Sequence, residues 1–424
     1  MKVIKTLLCI VVLLTCKHNI IAQDSLKLTI EQAEKQFLEN NLQLLAERFN
    51  IGIADAAIVQ AKVLNNPTIS VGDINLWHPN AAEELELLPA TFGNRAVFSV
   101  ELEQMVRTAG KRRKLINLER VSREIAIQEF EAFLWGLKTE LRTILNEIIF
   151  MQAYRNVIKI QETSISDLVE IYKKQTAQGN IARSELIRLQ ASLIELEAEG
   201  HEIRTELNKQ YKELKILLNI APQTAIEILP SAISIKNPND ISLADLLETA
   251  KNSHPEFLLS DLEIQYNEKM LAYEKSLRMP DIGLSINYDR YGGVWRNFVG
   301  VGISFDLPVF DRNQGNIRMA RLGIEQATHN ANLQRNTLLQ EIVEIYNNYV
   351  VNYRFYQRIT ANDFSEDLEQ MLEVYARNLL NRNISMLEYL DFMDAYRTTK
   401  QAILTAKKNV NTSFAELQFL ITKQ

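Results

Sequence analysis

The sequence predicts a mainly α chain with a small membrane β part, built as duplicated long helical hairpins plus four strands. Three observations carry this expectation. Only 14 of 424 residues are Gly and 9 are Pro, short of the usual share of residues that punctuate loops, so long helices are expected. Two stretches, residues 111–176 and 315–380, carry apolar side chains at alternating spacings of three and four, the signature of a helix with one buried seam. Before each stretch lie short segments of strict apolar/polar alternation, the period of a strand buried on one side only. The hydrophobic share of 46% rules out a disordered chain. Forty-seven basic against 53 acidic side chains give a net charge of −6 and no electrostatic case for nucleic acid.

The first 23 residues read as an export signal. Lys2 and Lys5 precede an apolar run at residues 7–14, and Ala22 is a small residue placed for cleavage. Both cysteines, Cys9 and Cys16, lie here, so cleavage near Ala22 leaves no thiol for a disulfide, a metal site or a nucleophile. A second reading of Leu13-Leu14-Thr15-Cys16 is a lipoprotein signal with Cys16 as a lipidated N-terminus. Either reading sends the protein out of the cytoplasm. No later apolar run reaches the ~20 residues of a membrane helix, so any membrane passage has to be made by strands.

An internal repeat organises the remainder. Leu28-Thr29-Ile30 followed by Ala33 and Phe37 matches Ile241-Ser242-Leu243 followed by Leu246 and Ala250 at an offset of 213, and Pro67 maps onto Pro280. Further on the offset falls to 203, where Tyr172 and Asn180-Ile181 match Tyr375 and Asn383-Ile384. The expected organisation is a first repeat over 24–222, a linker over 223–240 containing Pro230 and Pro238, and a second repeat over 241–424.

Each repeat has the same order. A helical segment (about 31–64; 241–278) runs up to a proline, which helices seldom continue through. Strands are expected at about 67–76 and 95–105 in the first repeat, and at 280–290 and 297–308 in the second. Ala96, Phe98, Val100 and Leu102 form one apolar face; Ile282, Leu284, Ile286 and Tyr288 form another; Val299, Val301, Ile303, Phe305 and Leu307 form a third. Such faces fit lipid, or equally a core packed under helices. The long helical hairpins span 111–220 and 315–422. Leu134, Leu137, Leu141, Ile144 and Ile148 mark the seam in one, and Leu338, Ile342, Ile345 and Tyr349 in the other. At 1.5 Å per residue each long helix measures on the order of 100 Å. Turns at Gln178-Gly179-Asn180 and Asn381-Arg382-Asn383 precede the return helices, and Ser385 and Glu388 have the spacing of a capping box.

Four one-sided strands cannot close a barrel, because lipid tolerates no open sheet edge. Two chains would supply eight strands around an interior filled by side chains; three would supply twelve and a lumen. Trp77, Phe92, Tyr291, Trp295, Phe298 and Phe310 around the strands suit interfacial girdles, or simple loop packing.

At this point the residues carry a resemblance. Order and spacing over the whole mature chain resemble the TolC-like outer-membrane efflux family, cation and drug branch. Its most specific piece is Asp306-Leu307-Pro308-Val309-Phe310-Asp311-Arg312-Asn313-Gln314-Gly315-Asn316, similar to that family's proline-containing strand-to-helix junction, with Gly110-Lys111 ending the first-repeat counterpart. The resemblance implies a homotrimer with a 12-stranded β-barrel in the outer membrane and a long periplasmic α-helical barrel. It also implies docking to a periplasmic adaptor and an inner-membrane pump of the RND type, with outer-membrane lipid around the barrel.

Transport of this kind needs no catalytic residue and no cofactor. The segment Leu387-Glu388-Tyr389-Leu390-Asp391 resembles the family's aperture segment, with Glu388 and Asp391 at its acidic positions. Glu388, Asp391 and Asp394 recur every third residue and stay near one another on a helix surface; threefold symmetry makes each a ring that attracts cations. Arg382 stands where that turn usually has glycine, and the family's Tyr and Arg latch has no match. In the first repeat Glu185 corresponds to Glu388, and Arg188 replaces the acid. The expected gate is therefore Glu388, Asp391, Asp394 and Glu185, with Arg188 pairing to an acid across neighbouring helices. A solvated helix face is the plainer alternative.

Arg107, Lys111, Arg112, Arg113 and Lys114 cluster at a helix start, facing lipid phosphates, carboxylates or solvent. Gly110-Lys111-Arg112 lacks the flanking residues of a phosphate loop, and His18, His78, His201, His254 and His329 show no metal-ligand spacing. The competing class is a periplasmic coiled-coil scaffold or adaptor-like protein without a pore.

Overall fold

The computed structural model describes residues 26–75, 97–230, 235–290, 297–361 and 364–421. The signal segment with Cys16 lies outside them, as do Trp77, Phe92, Tyr291 and Trp295.

The chain opens with β1 (Leu26–Leu28), α1 (Ile30–Asn40) and α2 (Leu42–Lys62). The single helix expected over 31–64 is two. Asn41, only 1% exposed, leaves the helical region at ψ 118°. Its Oδ1 accepts the Leu44 N–H at 2.8 Å and its Nδ2 donates to the Leu217 carbonyl at 2.8 Å, so the break is capped from within. At the other end Thr29 and Gln32 form a reciprocal capping box. Next come the hairpin strands β2 (Thr68–Asn75) and β3 (Val97–Val106), then α3 (Lys111–Ala177) and its antiparallel partner α4 (Arg183–Leu218).

The second pass begins with β4 (Ile226–Ile228), α5 (Leu243–Ser253) and α6 (Pro255–Leu277). Here too the expected single helix is broken, at His254, which sits 213 residues after Asn41. His254 Nδ1 accepts the Glu256 N–H, and its ring meets Trp135 edge-on at 5.0 Å. Burial lowers its pKa, which keeps the acceptor nitrogen unprotonated. Strands β5 (Ile282–Arg290) and β6 (Phe298–Ser304) follow, then α7 (Gln314–Thr360), α8 (Phe364–Leu380) and α9 (Met386–Ile421). The stretch expected to be one helix over 315–380 is thus described as two.

The linker contains a strand that its lack of periodicity concealed. β4 pairs in parallel with β1, Leu26 opposite Ile226 through Leu28 opposite Ile228. Three residues are too few for a period to declare itself. This small sheet joins a core with Phe37, Leu141, Leu145 and Leu218. Two further cores follow along the helices: one around Leu246, Ile342, Tyr349 and Phe414, the other between the two hairpins around Ile158, Ile165, Leu189 and Tyr389.

The remaining strands form an antiparallel sheet in the order β2-β3-β5-β6. Its rows separate cleanly by polarity. Ile69, Leu102, Ile286 and Val301 lie across from one another, as do Val71, Val100, Tyr288 and Val299. Between them run Thr68, Glu103, Ser285 and Gly302, then Ser70, Glu101, Asn287 and Gly300. None of the three cores includes a residue of this sheet. Its apolar face is uncovered, Val301 being 85% exposed and Ile303 73%. That excludes the alternative of strands packed under helices within the chain. On the polar face, Cβ atoms on Gly283, Gly300 and Gly302 would fall within 2.2–2.5 Å of oxygens of Ser304, Asn287 and Ser285. Side chains of neighbouring strands lean over those glycines, which suits the crowded inner side of a curved sheet. β6 ends at Ser304, short of the expected 308.

Helix order copies strand order. α2 packs on α3, α3 on α6 and α6 on α7, as β2, β3, β5 and β6 pair. Replacing Asn41 by Ala removes a cap and leaves the Leu217 carbonyl without its donor. We expect a loss of about 1–2 kcal/mol, read as a lowered Tm of the detergent-extracted protein, with Asn41→Asp losing less because it keeps the cap.

Candidate functional site

Two regions hold the residues singled out by sequence: the strand-to-helix junction and the far tip of the hairpins.

At the junction, Gly110 precedes α3 in the left-handed region at φ 68°. Its counterpart before α7 is Asn313 at φ 55°, 203 residues on. Asn tolerates this region better than other residues with a Cβ. Asn313 Nδ2 donates to the Glu274 carbonyl at 2.8 Å and to Glu274 Oε2 at 2.6 Å, while Asp311 Oδ1 accepts the Asn313 N–H at 2.8 Å. Asp311 and Asn313 therefore shape the turn into α7. Gly315 lies inside the first turn of α7, with open space around its Cα. Pro308 is in the exposed connection and Phe310 is 93% exposed.

The two halves are tied together at the same level. Lys111, 6% exposed, places Nζ 2.7 Å from Asp281 Oδ1, and the Thr108 N–H donates to the same oxygen at 3.0 Å. Thr108 Oγ1 also donates to the Pro280 carbonyl. Of the basic cluster, Lys111 thus meets a carboxylate of its own chain. Sequence placed that charge without finding its partner, because Asp281 lies 170 residues away.

At the tip, the turns after α3 and α8 have one geometry. Gly179 takes φ 75° and Arg382 takes φ 59°, and in each the next residue's N–H reaches back five residues, Asn180 to Gln175 and Asn383 to Asn378. Arg382 supplies the left-handed step without glycine, and its guanidinium donates to the Asn180 carbonyl at 3.2 Å. The two turns are thereby joined over a 490 Å³ cavity whose lining includes Tyr172, Glu185 and Arg382. Burial, with Glu185 adding to it, pushes the Tyr172 hydroxyl pKa up.

The three acids of α9 have different surroundings. Glu388 Oε2 accepts the Ser385 N–H at 2.7 Å and the Ser385 hydroxyl at 2.9 Å, while Ser385 Oγ accepts the Glu388 N–H. This is the capping box that the spacing predicted, and the backbone bond from Ser385 holds the Glu388 carboxyl below its usual range. Asp394 lies 2.6 Å from the Arg397 guanidinium. Asp391 is exposed.

Arg188 is exposed and lines a 430 Å³ cavity with Asp394 and Arg397. Among the described residues it has no acid within 4 Å; Asp394 is taken by Arg397, so the expected Arg188–acid pair does not form within one chain. A different arginine makes the cross-hairpin link. Arg397 reaches Glu199 on α4 at 3.0 Å, and Glu199 in turn accepts the Tyr154 hydroxyl of α3. Burial opposes the Arg397 charge, but Glu199 and Asp394 outweigh it and raise its pKa. The i,i+3 spacing of Asp394 and Arg397 was visible in sequence; the contribution of Glu199 and Tyr154 required the fold.

With this geometry in view, the similarities to known proteins can be placed. No family model matches the sequence. The cobalt-zinc-cadmium resistance protein CzcC of Cupriavidus metallidurans is 23% identical over 391 residues, covering 88% of this chain and 84% of CzcC. The CmeC outer membrane channel of Campylobacter jejuni superposes with a TM-score of 0.71 at 15% identity, over 92% of this chain and 85% of CmeC. The chain has the fold of an outer-membrane channel. A membrane protein from Pseudomonas aeruginosa superposes with a TM-score of 0.73 at 13% identity, over 92% and 90% of the two chains. The four-stranded sheet lies at one end of the long helices and the hairpin tips at the other.

Two outcomes are expected. Arg397→Met leaves Glu199 with Tyr154 as its remaining hydrogen-bond donor and costs about 1–3 kcal/mol, measured as a lowered Tm in detergent. Glu388→Ala frays the start of α9, seen as faster amide exchange at residues 385–389. Because the folded Glu388 carboxyl is depressed below 4.5, its contribution is complete above that value. It is lost as pH falls through the lowered folded value, so the difference between wild type and variant disappears in acid.

Proposed function

We propose that this chain is the outer-membrane exit duct of a tripartite efflux system, conducting its cargo passively from periplasm to exterior. The observation that carries this reading is the sheet: apolar rows uncovered on one face, polar rows on the other, and both edge strands open within the chain. In water such a face would aggregate; in lipid, with the edges closed by further copies, every backbone group is satisfied. Three copies supply twelve strands and a lumen. No helix of the described residues is long and apolar enough to cross a membrane, so a helix offers no alternative span there.

A homotrimer places the hairpins side by side as a periplasmic tube, with its tips available to a periplasmic adaptor and an RND-type inner-membrane pump. The likeness to the cobalt-zinc-cadmium resistance protein supports divalent metal ions as cargo. The exposed Asp391, repeated around the threefold axis, is the ring we assign to cation attraction at the aperture. Glu388 borders it while capping α9, and Glu185 and Arg188 belong to the same tip. The work is conduction, which calls for no catalytic group or cofactor. A coiled-coil scaffold without a pore accounts for the helices and leaves the lipid-suited face unused.

Membrane extraction and growth together test the reading. The protein is expected to need detergent for release from outer membranes, and its deletion to lower tolerance of cobalt, zinc or cadmium. Release by salt or carbonate alone favours the scaffold, and unchanged metal tolerance removes the assigned cargo. In planar bilayers, Asp391→Asn is expected to shift the reversal potential toward zero, reflecting weaker cation preference. An unchanged potential would take the ring out of the gate. If Arg188→Ala leaves conductance unaltered, Arg188 has no part in the closed state.

A further inference from the structure

The tips of the two hairpins share one apolar core, to which α9 contributes Met386, Tyr389, Met393 and Tyr396 and α3 contributes Ile158 and Ile165. Two of the four α9 residues are methionines, whose unbranched side chains fill irregular gaps and tolerate a change of partner. Such a core holds α9 against α3 but specifies its rotation poorly, and rotation decides where the acids point. At about 100° per residue, Asp391 stands about 200° around α9 from Tyr389 and about 160° from Met393, with Glu388 and Asp394 about 60° to either side of it. The acidic face is therefore opposite the face packed on α3, and a slip of one residue would turn it by ~100°.

Two hydrogen bonds fix that rotation. Gln161 of α3, 1% exposed, donates from Nε2 to the Met393 carbonyl at 2.6 Å, and the Ser164 and Tyr389 hydroxyls lie 3.1 Å apart. The two bonds are about one turn apart on each helix and run in opposite order, as antiparallel helices require. A carbonyl has a second lone pair beyond the one its helix uses, and α9 continues unbroken through Met393. The buried Gln161 amide has no water to replace this acceptor, so turning or sliding α9 carries a cost that the apolar contacts alone do not impose. The clamp is not duplicated. An offset of 203 carries Gln161 and Ser164 to Phe364 and Asp367, and it maps Glu388, Asp391 and Asp394 back onto Glu185, Arg188 and Ala191. The clamp thus belongs to the return helix that bears the three acids.

We propose that Gln161 and Ser164 are positioning residues for the aperture: by holding the Tyr389–Met393 face of α9 against α3, they aim Asp391 away from the chain's own helices and into the pore. They touch no cargo and act through α9. The proposal rests on the reading of Asp391 as the ring that attracts cations.

The test records reversal potentials of the full chain in planar bilayers under a salt gradient. Gln161→Met keeps the length of the side chain and removes the donor, and Ser164→Ala removes the second bond. The double variant is expected to move the potential at least half as far toward zero as Asp391→Asn does, and Ser164→Ala alone to move it in the same direction by less. Added to Asp391→Asn, the pair is expected to change nothing further. Aim is read directly by thiol labelling, since both native cysteines, Cys9 and Cys16, lie in the signal segment. Asp391→Cys is expected to react with a charged, impermeant reagent several-fold faster than Phe392→Cys, and loss of the clamp to narrow that ratio. A lowered Tm with wild-type potential and labelling ratio means that the two bonds only stabilise the tip, which overturns the proposal. A shift that persists undiminished beside Asp391→Asn overturns it as well. If the double variant forms no channels, Ser164→Ala alone decides by the same criteria. An unchanged potential in Asp391→Asn itself removes the ring reading, a separate failure, and the labelling ratio then judges the clamp alone.

Discussion

The longest ladder of the four-stranded sheet joins strands from different repeats: β3 pairs with β5 over nine successive residues, from Phe98 opposite Arg290 to Val106 opposite Ile282. Everything above and below inherits its order from that pairing. Because α3 leaves β3 and α6 enters β5, the ladder sets those helices side by side, and α2 and α7 are carried to the outside. Lys111, Thr108 and Asp281 hold the same junction where strands become helices. Within that low-accessibility spot a charged hydrogen bond stabilises more than on the surface, and breaking one partner strands the other.

A sheet so ordered has one polar and one apolar face and two open edges, and this combination directs the rest of the molecule. No helix covers the apolar face, and the three apolar cores are strung along the helices instead. On the polar face, glycines let neighbouring side chains fold inward, and the described strands place Glu101, Glu103 and Asp289 there with no Lys or Arg. Apolar packing is concentrated in the helices and the small β1–β4 sheet, while the four-stranded sheet keeps one apolar and one polar face uncovered.

At the tip the same economy of charge recurs. All three acids are exposed, but one caps a helix, one pairs with an arginine that spans two hairpins, and Asp391 has no ion pair among the described residues. Three carboxylates at equal spacing thus have three environments: Glu388 has Ser385 at the start of α9, Asp394 has Arg397 one turn on, itself held by Glu199 of α4, and Asp391 has no ion pair among the described residues. Arg382 illustrates the point from the other side. A non-glycine residue accepts the left-handed turn, and its side chain then bridges to the first hairpin.

The sequence by itself determined the periodic features: long helices from a scarcity of Gly and Pro, one-sided strands from period two, the seam residues Leu141, Ile148 and Ile342, the capping box of Ser385 and Glu388, and the duplication. Each is local or repeats, so it survives reading along a line. Only the tertiary structure decided what depends on distant partners. The breaks at Asn41 and His254 are stabilised by contacts with Leu217 and Trp135, and the three-residue β4 exists because β1 lies beside it. Tyr154, Glu199 and Arg397 meet because two hairpins pack together, and β6 ends at Ser304, where its ladder with β5 closes on Gly283. Pattern along a chain records which face is apolar; which surfaces meet, and which charges find partners, is settled only when helices and strands are brought into contact.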